Sequence, residues 1–200
     1  MTETTNETLV EIKGLHKSFG TIKAIDGIDL TICRGHIIGL LGANGCGKST
    51  LLRHIIGHCL PQAGECRTMG SLTADLGPEE LGKIGYVHQE GELMSWMTVR
   101  DLIDYVAAYY LNWDKELEER ILAQAELPPH VKAGSLSPGQ RQKLSILLAM
   151  CFHPELLILD EPAAGLDPLA RARLLDLLLE QIQDPRRTIL ISSHILSDVE

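Results

Sequence analysis

A glycine-rich segment at residues 42–50 constrains the fold more than any other feature of this sequence. It fits the pattern G-x-x-x-x-G-K-[ST] and consists of Gly42, Ala43, Asn44, Gly45, Cys46, Gly47, Lys48, Ser49 and Thr50. An apolar run at residues 37–41, typical of a buried strand, precedes the segment, and a helical pattern at residues 51–56 follows it. Because this pattern requires the order strand, loop, helix, the segment predicts a phosphate-binding P-loop.

The residue types in this loop suit the chemistry of phosphate binding. Backbone N–H groups can surround an anion only where the loop lacks bulky side chains and can adopt positive φ, which glycine allows. The helix that follows offers unpaired N–H groups and a dipole that favours anions. We expect Lys48 to approach the β- and γ-phosphates and the Ser49 hydroxyl to bind Mg²⁺. A chance match in a glycine-rich turn is the alternative, expected in roughly one chain in a hundred or fewer at ordinary glycine usage.

The composition excludes several classes of protein. The chain has 200 residues, of which 44% are hydrophobic and 22% charged, as in ordinary globular domains. The net charge of −9 argues against electrostatic binding of nucleic acid. The first residues are polar, and no run of 18 apolar residues occurs, so we expect neither a signal peptide nor a membrane span and predict a cytoplasmic protein.

The cysteines are scattered and form no C-x-x-C pair, which indicates reduced thiols. Cys46 lies before a helix N-terminus and near Lys48, so its modification would block nucleotide binding, although a role as a small filler is the favoured interpretation. His54, His58 and Cys59 could ligate a metal, but no carboxylate supports such a site. We therefore predict that these two histidines lie on a helix surface.

Strand patterns alternate with helical patterns along most of the chain. Strands are predicted at residues 9–13 and 22–32, on either side of a turn at 18–20, and at 84–88, where Gln89 ends the strand. Residues 61–64 and 70–82 are predicted as breaks and turns. Phe19, at the junction of the first two strands, is either a core residue or a ring that stacks on a purine base.

Helices dominate from Thr98 onward. Thr98 is a predicted N-cap, and an apolar stripe follows at Val99, Leu102, Ile103 and Val106. A second helix is predicted near residues 114–127, which makes 98–135 a helical insertion. Ser137 and Pro138 then open a helix that runs through residue 151. A strand at 156–160, a helix at 167–183 and a strand at 188–193 complete an α/β pattern.

Polar side chains gather at the ends of the predicted strands. The strand at 156–160 ends in Asp160 and Glu161, and the carboxyl ends of parallel strands form the ligand crevice of such a sheet, which we expect to contain Lys48, Ser49, Gln89, Asp160, Glu161 and His194. In this arrangement Ser49 and Asp160 would hold Mg²⁺, Glu161 would polarise water, and Lys48 and His194 would meet the developing charge. Taken singly, Gln89 or His194 is more often a structural residue.

Taken together, these motifs resemble the ATP-binding cassette (ABC) ATPases from about residue 9 to the end of the chain. Residues 42–50 are similar to the Walker A motif of the family, Gln89 to its Q-loop, 136–140 to its signature, 156–161 to its Walker B motif with the catalytic glutamate, 164–167 to its D-loop and His194 to its switch histidine. The resemblance implies a P-loop NTPase with a mainly parallel sheet core, an N-terminal antiparallel β subdomain and a helical insertion. It divides one domain into a catalytic core of about 9–97 and 152–200 and a helical subdomain of about 98–151.

The resemblance also implies the ligands and partners. ATP and Mg²⁺ would be the cofactors, Phe19 would stack on adenine, and Gln89 would join the metal site. A second copy of the domain, or a paralogue, would close the nucleotide site head to tail with Ser137, Gly139 and Gln140. A membrane permease would dock near residues 94–97, which are apolar enough for either an interface or the core, and would hold the chain on the cytoplasmic face.

The sequence departs from the family pattern at two places. Pro138 stands where the family commonly has glycine and lacks an N–H, but proline suits a first helical turn, so we expect activity to be retained. The chain ends within a helical pattern, from which a truncated domain is predicted. The segments 109–114 and 192–196 are most similar to bacterial efflux-type members, and the alternatives are a non-transport ABC protein of translation or DNA repair and a small-molecule kinase.

Overall fold

Two sheets organise the chain, and the computed structural model describes residues 7–89, 92–164 and 166–194 of it. The strands are β1 (Thr8–Phe19), β2 (Ile22–Cys33), β3 (Ile37–Leu41), β4 (Ala63–Thr68), β5 (Ser71–Leu72), β6 (Ile84–Val87), β7 (Leu156–Asp160) and β8 (Thr188–Ser193). The helices are α1 (Lys48–Ile55), α2 (Pro78–Leu81), α3 (Val99–Ala107), α4 (Lys115–Ala125), α5 (Pro138–Met150) and α6 (Pro168–Gln181). None of the helices in these ranges is long and apolar enough to cross a membrane.

The predicted parallel core is confirmed as a sheet with the strand order β3-β8-β7-β6. The two central strands, β7 and β8, are buried along their whole length. The prediction that β3 is also buried is wrong, because Ile37 and Leu41 are 40% and 44% exposed. Within the described ranges β3 pairs only with β8, so its other side has no strand to cover it.

The predicted N-terminal antiparallel sheet is confirmed, with the order β2-β1-β4-β5. The first strand continues beyond residue 13 to Phe19, across irregular register. Strand β5 and the first two residues of β4 fall in segments predicted as breaks and turns, and for these residues that prediction is wrong. A Cβ on Gly64 would lie 2.0 Å from the carbonyl oxygen of Gly14, so glycine at this point allows β4 to approach β1 instead of ending the strand.

The helix α1 lies between the two sheets and contacts β2, β4 and β7. Its His54 is fully buried, with Nδ1 2.7 Å from the Thr50 carbonyl oxygen, so the predicted surface position of His54 is wrong. His58 is exposed but lies beyond the end of α1. No group of three or more His, Cys, Asp or Glu side chains among the described residues is placed to hold a metal ion.

The helices of the predicted insertion begin at the expected caps. The Thr98 hydroxyl accepts a hydrogen bond from the N–H of Asp101 at 3.1 Å, and a carboxylate oxygen of Asp114 accepts one from Leu117 at 2.8 Å. Val99, Leu102 and Ile103 are buried in a core that α4, α5 and the parallel sheet share, while α1 and the antiparallel sheet pack on a second core. The division into a catalytic core and a helical subdomain stays a prediction.

Candidate functional site

The P-loop joins β3 to α1 and borders a cavity of about 220 Å³. Gly45 and Gly47 adopt φ of +78° and +101°, in the left-handed region that favours glycine. A Cβ on Gly47 would lie 2.3 Å from the carbonyl oxygen of Ala24, so the loop can close against β2 only with glycine there. The α1 N-terminus has no side-chain cap, which leaves its N–H groups available to an anion.

Lys48 is buried at the first position of α1. Its Nζ donates to the carbonyl oxygens of Gly42 and Ala43, at 2.7 and 3.2 Å. It also forms an ion pair with Glu161, at 3.2 Å from Oε1. Lys48 therefore links the P-loop to Glu161, the residue that follows β7.

Asp160 ends β7 and is fully buried. Its Oδ1 accepts a hydrogen bond from the Ser192 hydroxyl at 2.7 Å, whereas Oδ2 has no hydrogen-bond partner among the described residues. A buried carboxylate oxygen without a donor is costly unless a cation binds it. Oxygen ligands of this kind, together with the hydroxyl of Ser49 at the cavity wall, fit Mg²⁺.

Glu161 is held by three groups at the point where the chain leaves β7. Its backbone is left-handed, with φ of +50°, and its N–H donates to the Ser192 hydroxyl at 2.9 Å. Its Oε2 accepts from Nδ1 of His194 at 2.7 Å. Burial raises the pKa of this carboxyl, but the His194 hydrogen bond and the Lys48 charge outweigh burial and lower the pKa below its ordinary 4.5. Glu161 is therefore ionised near neutral pH, and the ring of His194 carries its proton on Nδ1.

The structure brings most of the predicted P-loop site together. The cavity is lined by Ile22, Ala24, Asn44, Gly45, Gly47, Lys48, Ser49, Thr50, Gln89 and Glu161. His194 is linked to the cavity through its bond to Glu161, and Asp160 immediately precedes Glu161 in the chain, although neither Asp160 nor His194 lines the cavity itself. Gly42 accepts from Lys48, and Cys46 is exposed on the loop. Gln89 lies two residues beyond the end of β6 rather than at its last position.

The predicted signature residues do not line this cavity. Ser137 caps α5 by accepting from the N–H of Gln140 at 3.2 Å, while the Gln140 side chain accepts from the N–H of Ser137 at 3.0 Å. Ser137 and Pro138 are exposed, and Gly139 and Gln140 are partly exposed. The sequence predicted this cap. The capped N-terminus of α5, however, is not part of the wall of the P-loop cavity in the same chain.

Phe19 is 54% exposed, so the alternative of a core residue is wrong. It stands opposite Ile22, which lines the P-loop cavity, and Nζ of Lys17 lies 5.5 Å from the centre of its ring. Asp167 of the D-loop caps α6 by accepting from the N–H of Ala170 at 2.9 Å. Gly165, in the same loop, and residues 195–200, on which the truncation and part of the efflux resemblance depend, lie outside the described residues.

The segment 94–97 divides between the core and the surface. Met94 and Met97 pack partly buried against the larger core, whereas Trp96 is 69% exposed. Next to this segment is a groove of about 390 Å³, with walls that include Tyr86, His88, Met94, Leu102, Tyr110 and Phe152. The core alternative therefore applies to Met94 and Met97, whereas the interface alternative stays a prediction for Trp96.

Sequence reasoning missed Ser192 as a functional residue. The detectable signal was a small hydroxyl in an apolar, fully buried strand, two residues before His194. Its significance depends on the register of β7 and β8, which places Ser192 beside Asp160. A single sequence does not fix that register.

Comparison with known proteins assigns the chain to a family. A model of the family described as ABC transporter matches residues 25–164, which is most of the chain. The chain belongs to the ABC transporter family. The family resemblance and the P-loop NTPase fold are thereby confirmed for this ABC domain.

Curated relatives of the ABC domain include proteins named for export and for import. The Nod factor export ATP-binding protein I of a Rhizobium species is 30% identical over 98% of this chain and 66% of its own length. The aliphatic sulfonates import ATP-binding protein of Corynebacterium glutamicum is 35% identical over 94% of this chain and 74% of its own length. The chain spans 58–66% of the Nod factor export proteins that it matches.

A solved structure of similar fold supports the assignment. It is described as the dimeric post-hydrolysis state of an ATP-binding cassette bound to ADP and Pi. Its TM-score to the ABC domain is 0.82 at 26% identity, covering 95% of this chain and 90% of the other.

Proposed function

We propose that this chain binds ATP with Mg²⁺, hydrolyses it to ADP and phosphate, and so powers transport of a substrate across a membrane. The observation that carries the proposal is the convergence of Lys48, Asp160, Glu161 and His194 at the carboxyl ends of β3, β7 and β8. Phosphoryl transfer needs mainly positioning and charge neutralisation, and these four side chains supply both. The names of the relatives favour transport over translation or DNA repair.

The cofactors have residues to hold them. The P-loop backbone at Gly42, Asn44, Gly45, Cys46, Gly47 and Thr50, with Lys48, would bind the phosphates, and Phe19 would stack on adenine. Ser49, Asp160 and Gln89 would hold Mg²⁺, which when bound neutralises phosphate charge. The partnerless Oδ2 of Asp160 supports this ligand set.

Glu161 would act as the general base. A carboxylate ionised at neutral pH can accept a proton from the attacking water, and its pKa is lowered by His194 and Lys48 despite burial. Phosphate oxygens entering the cavity would compete with Glu161 for Lys48, which frees the carboxylate for water. His194 would keep the side chain of Glu161 oriented through Nδ1.

A second copy of the domain would complete the site. Ser137, Gly139 and Gln140 lie outside the cavity of their own chain and are at least partly exposed at the start of α5. A helix N-terminus offers N–H groups to a phosphate, although Pro138 lacks one. Head-to-tail dimerisation would place these residues over the nucleotide of the partner, as the dimeric description of the similar cassette suggests.

An integral membrane permease is the second proposed partner, with this chain peripheral on its cytoplasmic side. The groove next to the segment 94–97 has mostly apolar walls, with His58, His88 and Glu92 among their polar members. It lies close to the site, since His88 in its wall precedes Gln89 in the cavity wall. Apolar grooves of this kind suit a protein partner. Relatives named for both directions match at similar identity, so the proposed export direction rests on the resemblance at residues 109–114 and 192–196.

The substitution Glu161→Gln tests the proposed activity. It removes the base and keeps the size of the side chain, so ATP binding should persist while turnover falls by about a hundredfold or more. Binding is measured with a fluorescent ATP analogue, and turnover by phosphate release. Glu155→Gln is the matched control, because Glu155 precedes the opposite end of β7 and pairs with Arg34. Parent-like turnover in Glu161→Gln would refute the assignment.

A further inference from the structure

The Ser192 hydroxyl contacts both acidic positions of the site. Ser192 is the fifth residue of β8, and its side chain is fully buried. Its Oγ donates to Oδ1 of Asp160 at 2.7 Å and accepts from the N–H of Glu161 at 2.9 Å. A hydroxyl can donate one hydrogen bond while accepting another, so this one group can satisfy both contacts.

The parallel register explains why the hydroxyl reaches both residues. Asp160 stands opposite Ser192 in the β7–β8 pair, and the chain turns left-handed at the next residue, Glu161. A non-glycine residue in that conformation is disfavoured, and a buried N–H without an acceptor is also costly. The Ser192 hydroxyl supplies an acceptor to the buried N–H of Glu161, the residue whose backbone is in this disfavoured conformation.

These two contacts orient the carboxylates of Asp160 and Glu161. Because the hydroxyl occupies Oδ1 of Asp160, the carboxylate is fixed about its torsion and Oδ2 stays without a partner among the described residues. Because the backbone of Glu161 is held in its turn, the side chain reaches Lys48 and His194. Both carboxylates are thus oriented by a residue that does not line the P-loop cavity.

We propose that Ser192 is a positioning residue that orients both the metal-ligating Asp160 and the general base Glu161. The inference rests on the proposed function for its catalytic meaning. Groups that orient metal ligands from behind change metal affinity or activity about 10–100-fold when removed. Loss of the hydroxyl should therefore affect Mg²⁺ and turnover more than it affects nucleotide affinity.

Thr188 provides a matched control on the same strand. It lies four residues before Ser192, hence on the same face of β8, and is equally buried. Its hydroxyl accepts from the N–H of Gly35 at 3.0 Å, at the end of the strand away from the site. Thr188→Val removes a buried acceptor of a backbone N–H, as Ser192→Ala does, without touching either carboxylate.

The experiment compares Ser192→Ala, Ser192→Thr and Thr188→Val with the parent chain. One measurement is the Mg²⁺ concentration at which half of the Mg²⁺-dependent gain in affinity for a fluorescent ATP analogue is reached. A second is ATP turnover, resolved into kcat and KM. The third is the hydrogen exchange rate of the Glu161 amide in nucleotide-free protein, which needs no activity.

In Ser192→Ala we expect the Mg²⁺ requirement to rise and kcat to fall by about tenfold or more, with KM for ATP nearly unchanged. The Glu161 amide should exchange faster, because it loses its acceptor. Ser192→Thr keeps the hydroxyl and should restore all three values, whereas Thr188→Val should speed exchange only at Gly35.

Two results would overturn the inference. One is a Ser192→Ala variant that matches Thr188→Val in both the Mg²⁺ requirement and Glu161 exchange. The other is a folded Ser192→Thr variant that behaves like Ser192→Ala. If instead the parent chain does not hydrolyse ATP, the proposed function fails, and amide exchange at Glu161 still decides whether Ser192 holds the turn.

Discussion

Two buried carboxylates in this domain differ in how fully they are paired, and the difference separates a structural group from a functional one. Glu118 receives hydrogen bonds from Arg100 at 2.7 Å, Trp113 Nε1 at 2.6 Å and Lys115 at 3.0 Å. Asp160 keeps one oxygen without a partner among the described residues. Both oxygens of Glu118 are paired with donors, so Glu118 joins α3 to α4, while Oδ2 of Asp160 remains available to a cation.

The substitution Glu118→Gln should show this structural role as a pH dependence. Burial raises the pKa of Glu118, but the bonds from Arg100, Trp113 and Lys115 outweigh burial and hold the pKa below its ordinary 4.5. A lowered folded-state pKa stabilises the fold fully above the unfolded value, and the effect is lost as pH falls through the folded value. At neutral pH the variant should lose about 1–3 kcal/mol of unfolding free energy, because Arg100 can still reach water.

Urea unfolding at neutral pH and at decreasing pH below 4.5 measures this effect. The difference between the parent and Glu118→Gln should shrink with the pH. Asp104→Asn is the control, since Asp104 pairs with Arg100 at the surface. Loss of this surface ion pair should lower the unfolding free energy by about 0.5 kcal/mol or less. A difference that does not change with pH would show that the charge of Glu118 is irrelevant.

At the scale of elements, α3 has two faces that are used differently. Val99, Leu102 and Ile103 are buried, whereas Tyr105 is 43% exposed. Just beyond the end of α3, Tyr109 is 70% exposed, and its hydroxyl lies 3.1 Å from that of Tyr105. The proposed docking groove lies beside this helix. Exposed aromatic side chains next to an apolar groove are typical of an interface.

The substitution Trp96→Ala tests the proposed docking surface. Because Trp96 is mostly exposed, its loss should leave the ATPase rate of the isolated domain unchanged but weaken binding to the membrane subunit by about tenfold or more. The measurement is binding to that subunit reconstituted in lipid vesicles. Leu179→Ala is the matched control, since Leu179 is 56% exposed on α6. Equal binding by both variants would place the permease elsewhere.

At the scale of the whole molecule, the P-loop cavity and the N-terminus of α5 lie apart on one chain. The cavity contains Lys48 and Glu161, and Ser137 is absent from its lining. Under the proposed head-to-tail arrangement, each ATP site would combine the P-loop of one copy with the signature of the other. This arrangement gives mixed dimers a distinctive behaviour.

Mixing Lys48→Ala with Ser137→Arg should restore activity that each variant lacks alone. In a mixed dimer one site receives both defects and the other receives none. Random pairing of equal amounts should therefore recover up to about a quarter of the parent rate. Phosphate release is measured as the proportions are varied, with mixtures of Lys48→Ala and Glu161→Gln as the control, because both changes affect the P-loop side of the site. No recovery in the first mixture would contradict the head-to-tail site.

The sequence by itself determined the elements that local chemistry specifies. The P-loop glycines, the caps at Thr98 and Ser137, and the apolar strand that ends in two carboxylates all predict their own conformations, because turn and cap preferences depend on adjacent residues. These features were sufficient for the fold class and for most of the residues around the cavity.

Only the tertiary structure decided which distant groups meet. The predicted break at 61–64 conceals the start of β4, because Gly64 serves a close approach to β1 that no local pattern reveals, and the predicted turns at 70–82 conceal β5. His54 is buried because α1 lies between two sheets, and Ser192 joins the site because β7 and β8 pair in one particular register. The P-loop at 42–50 therefore specifies a phosphate site by its own sequence, while the positions of Asp160 and Glu161 beside it depend on strand pairing.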